Sequence, residues 1–496
     1  MHRWWSVRAL PARRWAVLIP GLAAAWGLGW GIAIGGPVPV LAGLLGATLM
    51  AMILSSIDVA FFLVLAVIFL LPFGTLPVRL GFTPTLLDLA VLGWLLTGLA
   101  WWAAGRIGTP QGTALGFPVL AFLGTTLATF IAGLAHAPLT QTVARRFAEF
   151  LLAIASFFWV VTLVRDELQL SRLIRWIIGF GFLAALIAVI LYVLPDARAE
   201  EWLLRLQPLG YYREGGPVLR YILDDPEQPE RAIGTAVDPN LLGATLATLI
   251  ALALPQVFAS RPVWPRPLMV LFLGTMGLAL LLTFSRGAFI GTATAVLALS
   301  LFRYRRLLPL IAVGLILLFL LPATQDYAQH LLAGLRGEDL ATRMRFGEYR
   351  DALTLISRYP LFGVGFAGVP DVDLYIKVAS IYLLLTVQMG LVGLGIFLLV
   401  MGIFFATAWK ARRAVRNLPD LEPIWLGLHG AVLAALVSGV FDHHFVNFDF
   451  HHMVQWFWLL IGLGMAATRM AHSVSRQSWR MDPEESSRPR RERTTG

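Results

Sequence analysis

Two adjoining segments of opposite character lie in the second half of the chain. They read EDLATRMRFGEYRD over residues 338–351 and ASIYLLLTVQMGLVGLGIFLLVMGIFFATA over residues 379–408. The second segment is apolar over more than the roughly 20 residues that a helix needs to cross a hydrocarbon core. Charges as dense as those of the first segment are costly beside such a run unless they are paired or face water. We therefore predict a membrane-spanning helix that begins beside a charged surface.

The composition of the whole chain favours the same fold class. Its 496 residues are 58% hydrophobic and 14% charged, which excludes an ordinary soluble domain. Apolar runs of roughly 17–25 residues recur from end to end. We predict an all-α, polytopic integral membrane protein with about 14 transmembrane helices and a large extracytoplasmic loop between the late helices. The lack of cysteine excludes disulfides and thiolate metal sites.

The predicted spans form a single transmembrane domain over residues 15–470. The first span follows Arg13 and Arg14 and resembles a signal peptide, but another apolar run begins directly after it, so we interpret it as an uncleaved span. The other spans are expected at about 38–55, 58–73, 84–104, 116–134, 147–164, 174–194, 240–259, 266–284, 287–302, 307–322, 379–408, 424–441 and 453–470. Residues 1–14 are expected to form a cytoplasmic N-terminus, and residues 471–496 a disordered basic cytoplasmic tail.

The net charge of +10 follows this topology, because the loops on one predicted side are basic. Those loops carry Arg106, Arg165, Arg172, Arg175, Arg261, Arg266, Arg303, Arg305, Arg306, Lys410, Arg412, Arg413 and Arg416. The positive-inside rule places this side in the cytoplasm. It predicts a multi-pass protein of the plasma membrane with both termini cytoplasmic, and it explains the charge better than nucleic-acid binding does.

A second set of arginines falls on the predicted outer side, where charge bias alone would place few. It comprises Arg145, Arg146, Arg231 in the loop 196–239, Arg286, and Arg336, Arg343, Arg345 and Arg350 in the loop 323–378. Such a cluster indicates an anion held at the outer membrane surface. The alternative is that long outer loops tolerate arginine, since the positive-inside rule weakens with loop length. Arg145, Arg146 and Arg286 lie at span ends or in short loops, which favours the anion site.

Within the loop 323–378, apolar residues recur at helical spacing and predict one apolar face made of Phe346, Tyr349, Leu353 and Ile356. Arg343 and Arg350 lie two turns apart along the edge of that face, so together they could grip one polyanion. Glu348 is either a salt-bridge partner of these arginines or a general base.

Four of the nine histidines lie in the run from Asp442 to His452, namely His443, His444, His451 and His452. Three interpretations stay open for this run. It could bind a divalent metal, although its spacing matches no known metal motif. It could be a polar rim among the aromatic residues of an interfacial belt. One histidine could also serve as the proton acceptor of an active site.

Four motifs follow one another over residues 231–400: Arg231…Gly234…Asp238-Pro-Asn240, Ser285-Arg286-Gly287-Ala288, Arg343…Tyr349-Arg350…Pro360-Leu-Phe-Gly363-Val-Gly365, and Tyr382-Leu383…Gly390-Leu-Val-Gly393. In this order they resemble the motifs of the O-antigen ligase and O-antigen polymerase family. It implies a GT-C-like, all-helical membrane glycosyltransferase of envelope polysaccharide or lipopolysaccharide synthesis. The implied donor is an undecaprenyl-diphosphate-linked glycan, used at an extracytoplasmic active site.

The resemblance also implies site residues and partners. The lipid diphosphate is expected on the outer-face arginines, namely Arg145, Arg146, Arg231, Arg286, Arg343 and Arg350. The acceptor is a glycan or a lipid, and the expected partners are membrane lipids and envelope-glycan assembly proteins, with no nucleic acid. No cofactor, no nucleotide sugar and, in the ligases, no metal is expected.

One departure from the family pattern concerns the catalytic base. Ligases of this family usually carry His-Asn just before the Tyr-Leu of the late span, whereas Ala379 and Ser380 stand there in this chain. We therefore expect the base among His443, His444 and Glu348. Two alternatives remain: a transporter or flippase for an anionic or lipid-linked envelope precursor, and an inactive family member that scaffolds envelope assembly. Transport needs polar groups near the bilayer midplane and often repeated halves, and the sequence shows neither feature clearly.

Overall fold

The computed structural model describes residue 52 and residues 56–76, 83–109, 111–212, 216–320, 340–368 and 378–481. The predicted N-terminus, nearly all of the first two predicted spans, Arg336 and the end of the predicted tail lie outside the described residues. Helix dominates the described part, so the all-α prediction is confirmed. Seven helices are long and apolar enough to cross a membrane, and three shorter apolar helices accompany them.

The helices follow one another in an order that matches the predicted spans. In chain order they are α1 (Ile57–Leu70), α2 (Leu86–Ala103), α3 (Gly116–Gly133), α4 (Gln141–Leu163), α5 (Glu167–Val193), α6 (Asp196–Leu204), α7 (Pro239–Val257), α8 (Arg266–Leu282), α9 (Arg286–Phe302), α10 (Leu308–Leu320), α11 (Leu340–Arg358), α12 (Ile381–Arg416), α13 (Leu421–Ser438) and α14 (His451–Met481). Between α6 and α7, the strands β1 (Arg220–Tyr221) and β2 (Glu230–Arg231) form an antiparallel pair in which Arg220 faces Arg231. The last helix continues beyond the predicted end of its span at residue 470.

Several helices begin at the residues that sequence chemistry favours. Thr85 and Asp88 form a capping box at the start of α2. Asp238 caps α7, because its Oδ1 accepts hydrogen bonds from the backbone N–H groups of Asn240 at 2.7 Å and Leu241 at 3.1 Å. Pro239 occupies the first turn of α7, where a missing N–H costs nothing.

The core is formed where small residues let helices approach closely. Helix α13 packs against α7 and α9, and α14 packs against α4. A Cβ atom added at Gly291 of α9 would lie 2.7 Å from the backbone oxygen of Ala434 in α13. Close backbone approach of this kind is how helices associate in lipid, where burial of apolar surface gives little driving force.

Loops that the topology predicts on one side contact each other. At one end, both Nε and Nη2 of Arg303 donate to the Glu422 carboxylate, at 2.8 and 3.1 Å, and Arg261 lies 3.5 Å from Asp420. At the opposite end, Arg146 pairs with Asp449. These contacts agree with the predicted sides of the loops that they join, while the assignment of one end to the cytoplasm stays a prediction.

Candidate functional site

Helix α12 is broken at Gly390, where φ is +67° and ψ is −173°. The loop that follows α11 enters this break. The N–H of Val364 donates to the oxygen of Val387 at 2.8 Å, and the N–H of Leu391 donates to the oxygen of Pro360 at 2.8 Å. The two glycine-containing motifs are thus one structural unit, which joins the end of α11 to the middle of α12.

Glycine is required on both sides of this contact. Gly363 has φ of +67°, and a Cβ atom there would collide with the backbone oxygen of Val387. A Cβ atom at Gly390 would collide with the backbone oxygen of Leu361. The left-handed conformation and the close approach both exclude larger residues. The motif glycines therefore act as structural supports of the site.

Helix α11 turns a different face inward from the one that the apolar pattern predicts. Ala352 and Leu355 are buried, whereas Phe346 and Leu353 are each 58% exposed. The predicted apolar face is therefore wrong in half of its members. The prediction considered only large apolar side chains. In the structure, the small Ala352 and its neighbours one helical turn away make the contact with the bundle. Arg343 and Arg350 lie on the exposed side, and Arg345 is half-buried on the inner side.

The inner face of α11 contacts Ala379, the residue that stands where ligases of the family usually have histidine. The hydroxyl of Tyr349 donates to the oxygen of Ala379 at 3.1 Å, and the N–H of Ala379 donates to Oε2 of Glu348 at 3.1 Å. Burial raises the pKa of Glu348, while the hydrogen bond from Ala379 and the charge of Arg345 offset part of that rise. Glu348 thus anchors the backbone at the start of α12.

A buried histidine–aspartate pair lies at the same position. Nε2 of His444 is 3.0 Å from Oδ1 of Asp442, and the N–H of Ile381, the first residue of α12, donates to the backbone oxygen of Asp442 at 3.1 Å. His444 is only 6% exposed. His443 is more peripheral, with Nδ1 3.3 Å from the Asn447 amide nitrogen and 3.9 Å from Asp442.

The two members of this pair stabilise each other's charge. Burial alone would raise the pKa of Asp442, but the neighbouring His444 outweighs it and the pKa lies below its usual value. Burial alone would lower the pKa of His444, but Asp442 outweighs it and the pKa lies above its usual value. The pair therefore favours the charged forms of both groups.

Three arginines converge beside this pair: Arg231, Arg286 and Arg345, which we call the Arg231 cluster. Arg231 is held by uncharged oxygens, since its Nε donates to the oxygen of Thr283 at 2.8 Å and its Nη2 to Oδ1 of Asn240 at 2.9 Å. Burial lowers the pKa of Arg231, Asp238 opposes this effect, and Arg345 and Arg286 add to it.

Arg345 also acts electrostatically on Glu348, Asp442 and His444. It is therefore the link between the cationic part of the site and the histidine–aspartate pair. Arg345 was recognised in the sequence as an outer arginine but not chosen as a site residue. The spacing that could have found it is its position three and four residues before Glu348 and Tyr349, which places it on their face of the helix.

Arg145 and Arg146 lie in a second group, which we call the Arg145 cluster. Nη1 of Arg145 is 2.6 Å from Glu149 and 3.4 Å from Asp88, and Arg146 pairs with Asp449. His451 completes this group, with Nδ1 3.6 Å from Glu149. Both arginines are thus occupied by carboxylates, and their predicted role in binding diphosphate stays a prediction.

Metal binding is geometrically open at two places in the described residues. Ligand atoms of Asp442, His443 and His444 lie within 4.8 Å of one another, as do those of Asp88, Glu149 and His451. In each group, however, an arginine lies close to the carboxylates: Arg345 acts on Asp442, and Arg145 contacts Asp88 and Glu149. A neighbouring fixed cation opposes the entry of a dication.

Apolar helices of membrane-spanning length around a cluster of arginines define a polytopic membrane protein. A family model described as O-antigen ligase matches residues 270–398, a segment that contains Arg286, Arg345 and the α11–α12 unit. The match confirms the resemblance to the O-antigen ligase family for the motifs within residues 270–398, while the motif from Arg231 to Asn240 lies outside the matched segment. Membership of this family implies glycosyl transfer or ligation with a lipid-linked glycan. A search of the curated proteins finds no relative that matches the chain.

Proposed function

We propose that this protein is a GT-C-like glycosyltransferase of the plasma membrane. In this proposal it transfers glycan from an undecaprenyl-diphosphate-linked donor to a glycan or lipid acceptor at the extracytoplasmic face. The observation that carries the proposal is the convergence of Arg231, Arg286 and Arg345 beside the Asp442–His444 pair. Two of these arginines lie in the matched family region, and Arg345 interacts electrostatically with both Arg231 and the Asp442–His444 pair.

The arginines suit the leaving group. When the acceptor oxygen attacks the anomeric carbon, the bond from that carbon to the phosphate oxygen breaks and the electron pair leaves with undecaprenyl diphosphate. Negative charge therefore develops on the diphosphate. Preorganised guanidinium groups in a partly buried site stabilise that charge more strongly than water does. Arg231 is prearranged for this role because Thr283 and Asn240 fix its orientation without neutralising it.

His444 suits the role of base better than the other two candidates do. Nε2 lies 3.0 Å from Oδ1 of Asp442, so the second nitrogen, Nδ1, would be the one to accept the proton of the attacking hydroxyl; it is buried and has no hydrogen-bond partner among the described residues. Asp442 would then orient the ring and stabilise the imidazolium, as a carboxylate does in a catalytic triad. Glu348 already accepts the N–H of Ala379.

Release of undecaprenyl diphosphate from a lipid-diphosphate glycan, by purified protein in detergent, tests this proposal. We expect His444→Ala to lower the rate by roughly 10²–10⁴-fold, the contribution of a positioned base. The matched variant His443→Ala, which alters the adjacent ring, should retain most of the rate. Unchanged release in His444→Ala would overturn the assignment of the base. No release by the unaltered protein, in the presence of tight donor binding, would overturn the proposed transfer.

A further inference from the structure

A second site lies at the opposite end of the helices from the Arg231 cluster. There, α9, α12 and α13 enclose a cavity of about 410 Å³. That volume falls within the roughly 300–1,000 Å³ typical of small-molecule sites. Its interior is mainly apolar and includes Leu299, Phe405, Ala408, Leu426 and Leu433. Its rim carries Arg303, Arg412, Arg416 and Glu422.

The depth of the cavity matches an elongated occupant. Glu422 at the rim and Leu433 in the interior both belong to α13, and eleven residues of helix correspond to a rise of roughly 16 Å. Between them lies His429, whose Nδ1 is 2.7 Å from the oxygen of Trp425. Since a carbonyl only accepts hydrogen bonds, that nitrogen carries the proton. Nε2 is then an acceptor, and it has no hydrogen-bond partner among the described residues.

The rim has an excess of positive charge. Arg303 is bound bidentately by Glu422, which neutralises it. Arg412 stacks over the ring of Trp409, with 4.0 Å between its guanidinium carbon and the ring centroid. In the described part of the chain no carboxylate forms an ion pair with Arg412 or Arg416. Two cations therefore remain at the mouth of an apolar cavity.

The mouth also has the features of a membrane–water boundary. Trp409 is 55% exposed, and its ring centroid lies 6.2 Å from that of Phe302. Exposed aromatic residues beside arginines are typical of the headgroup level. The ends of α9 and α12 that meet here carry the basic loops that the positive-inside rule predicts to be cytoplasmic.

We propose that this cavity binds an anionic phospholipid of the cytoplasmic leaflet. Its phosphate would lie between Arg412 and Arg416, and an acyl chain would occupy the interior towards Leu433. Basic pockets between transmembrane helices on the cytoplasmic side recognise anionic headgroups in this way. The charge of the rim favours this occupant over the far end of a polyprenyl chain, which is uncharged and would form no charge-assisted contact with the two arginines.

The test is native mass spectrometry of the full chain, with phosphatidylglycerol as the probe and phosphatidylcholine as the neutral comparison. The unaltered protein should retain phosphatidylglycerol preferentially. The double variant Arg412→Gln with Arg416→Gln should weaken that binding by about tenfold or more, because it removes charge-assisted contacts to the phosphate. The matched control is Arg413→Gln, an exposed neighbour on α12 that does not line the cavity.

A second variant tests the interior independently of the rim. Ala298→Phe adds a ring to the lining and should also lower phosphatidylglycerol binding, while the rim stays intact. Equal retention of phosphatidylcholine, or an unaltered preference in the double variant, would overturn the proposal. So would displacement of the phospholipid by uncharged undecaprenol at similar concentration, since that result would identify the cavity as a polyprenyl site. These binding measurements do not depend on the proposed glycosyl transfer.

Discussion

The Arg231 cluster and the Arg145 cluster both bring arginines together at the same end of the molecule. They differ in what holds the guanidinium groups. Arg231 is held by a backbone oxygen and an amide oxygen, whereas Arg145 and Arg146 are held by carboxylates. An arginine fixed by neutral partners keeps its charge for a ligand, while an arginine in an ion pair is already neutralised. The first arrangement suits substrate binding and the second suits support of the bundle.

The largest expected loss of stability and turnover comes from displacing α11, the helix that carries Arg345 of the Arg231 cluster. Gly363→Ala places a Cβ atom against the backbone of α12 at a residue with positive φ, so α11 can no longer lie in its present position. The strain at that φ and the collision should together cost several kcal/mol, of which backbone strain is about 1–3. We expect loss of monodisperse protein on size exclusion and loss of donor turnover.

The matched control for that variant lies on the same helix unit. Gly395 of α12 has open space where a Cβ atom would lie, so Gly395→Ala should be neutral or slightly stabilising. If Gly363→Ala behaved like Gly395→Ala in thermal unfolding and in turnover, the α11–α12 contact would not be what positions the site.

The next largest effect is expected on the rate of undecaprenyl diphosphate release, and it should distinguish two arginines of α11. Arg345→Gln removes a cation from the inner face and should lower the rate of undecaprenyl diphosphate release by about 10²-fold or more, in line with the loss of one preorganised electrostatic donor. Arg343→Gln alters the exposed face of the same helix and should change the rate by less than about threefold. Equal losses in the two variants would mean that the inner face has no special role.

In the Arg145 cluster, substitution of an arginine should lower stability and leave turnover nearly unchanged. Arg145→Gln leaves Asp88 and Glu149 close together without their shared cation, which should cost about 1.5–3 kcal/mol of stability, the range for a hydrogen bond to a charged group. Donor turnover by the protein that remains folded should be nearly unchanged. Thermal unfolding and turnover are therefore measured on the same preparation, and a loss of turnover without a loss of stability would contradict the distinction between the clusters.

A smaller effect concerns pH. His444 can accept a proton only when it is neutral, and Asp442 keeps the pKa of His444 above its usual range, so the rate should rise with pH through a value above about 6.5. Asp442→Asn removes the carboxylate while burial remains. The inflection of the pH–rate profile should then move to lower pH. An inflection that does not move would exclude His444 as the titrating base.

The same pair predicts a stability profile. The folded-state pKa of His444 is raised, so its contribution is complete below about 6.5 and is lost as pH rises through the raised value. The folded-state pKa of Asp442 is lowered, so its contribution is present above about 3.9 and is lost as pH falls through the lowered value. Asp442→Asn should flatten both limbs in pH-dependent thermal unfolding.

The sequence was sufficient for the fold class because a hydrocarbon core imposes a simple requirement on length and polarity. The family was also accessible, since motifs such as Pro360-Leu-Phe-Gly363-Val-Gly365 are constrained by backbone contacts that few other sequences satisfy. The contact between the Gly363 and Gly390 segments could not be predicted from the sequence, because contacts between distant segments leave no periodic pattern in the chain.

The site was predicted only in part, for a related reason. Arg286 could be selected because an arginine at the end of a span is costly without a function, and Arg231 could be selected because it belongs to one of the motifs that carry the resemblance. Arg345 could not be separated from Arg343 and Arg350 by charge. Its spacing places it on the face of Glu348 and Tyr349, but only the packing of the helix shows that this face is the inner one. Two of the carboxylates that occupy Arg145 and Arg146, those of Asp88 and Asp449, come from other segments, so these pairs also required the structure, whereas Glu149 lies four residues after Arg145 on the same helix.

The most direct test of the account is the affinity for undecaprenyl diphosphate itself, measured with Arg231→Gln and Arg146→Gln side by side. The two substitutions remove the same charge from the same end of the molecule. We predict that Arg231→Gln weakens binding by about tenfold or more and that Arg146→Gln stays within about twofold of the unaltered protein. Equal weakening in both variants, or weakening only in Arg146→Gln, would contradict the claim that the Arg231 cluster holds the diphosphate.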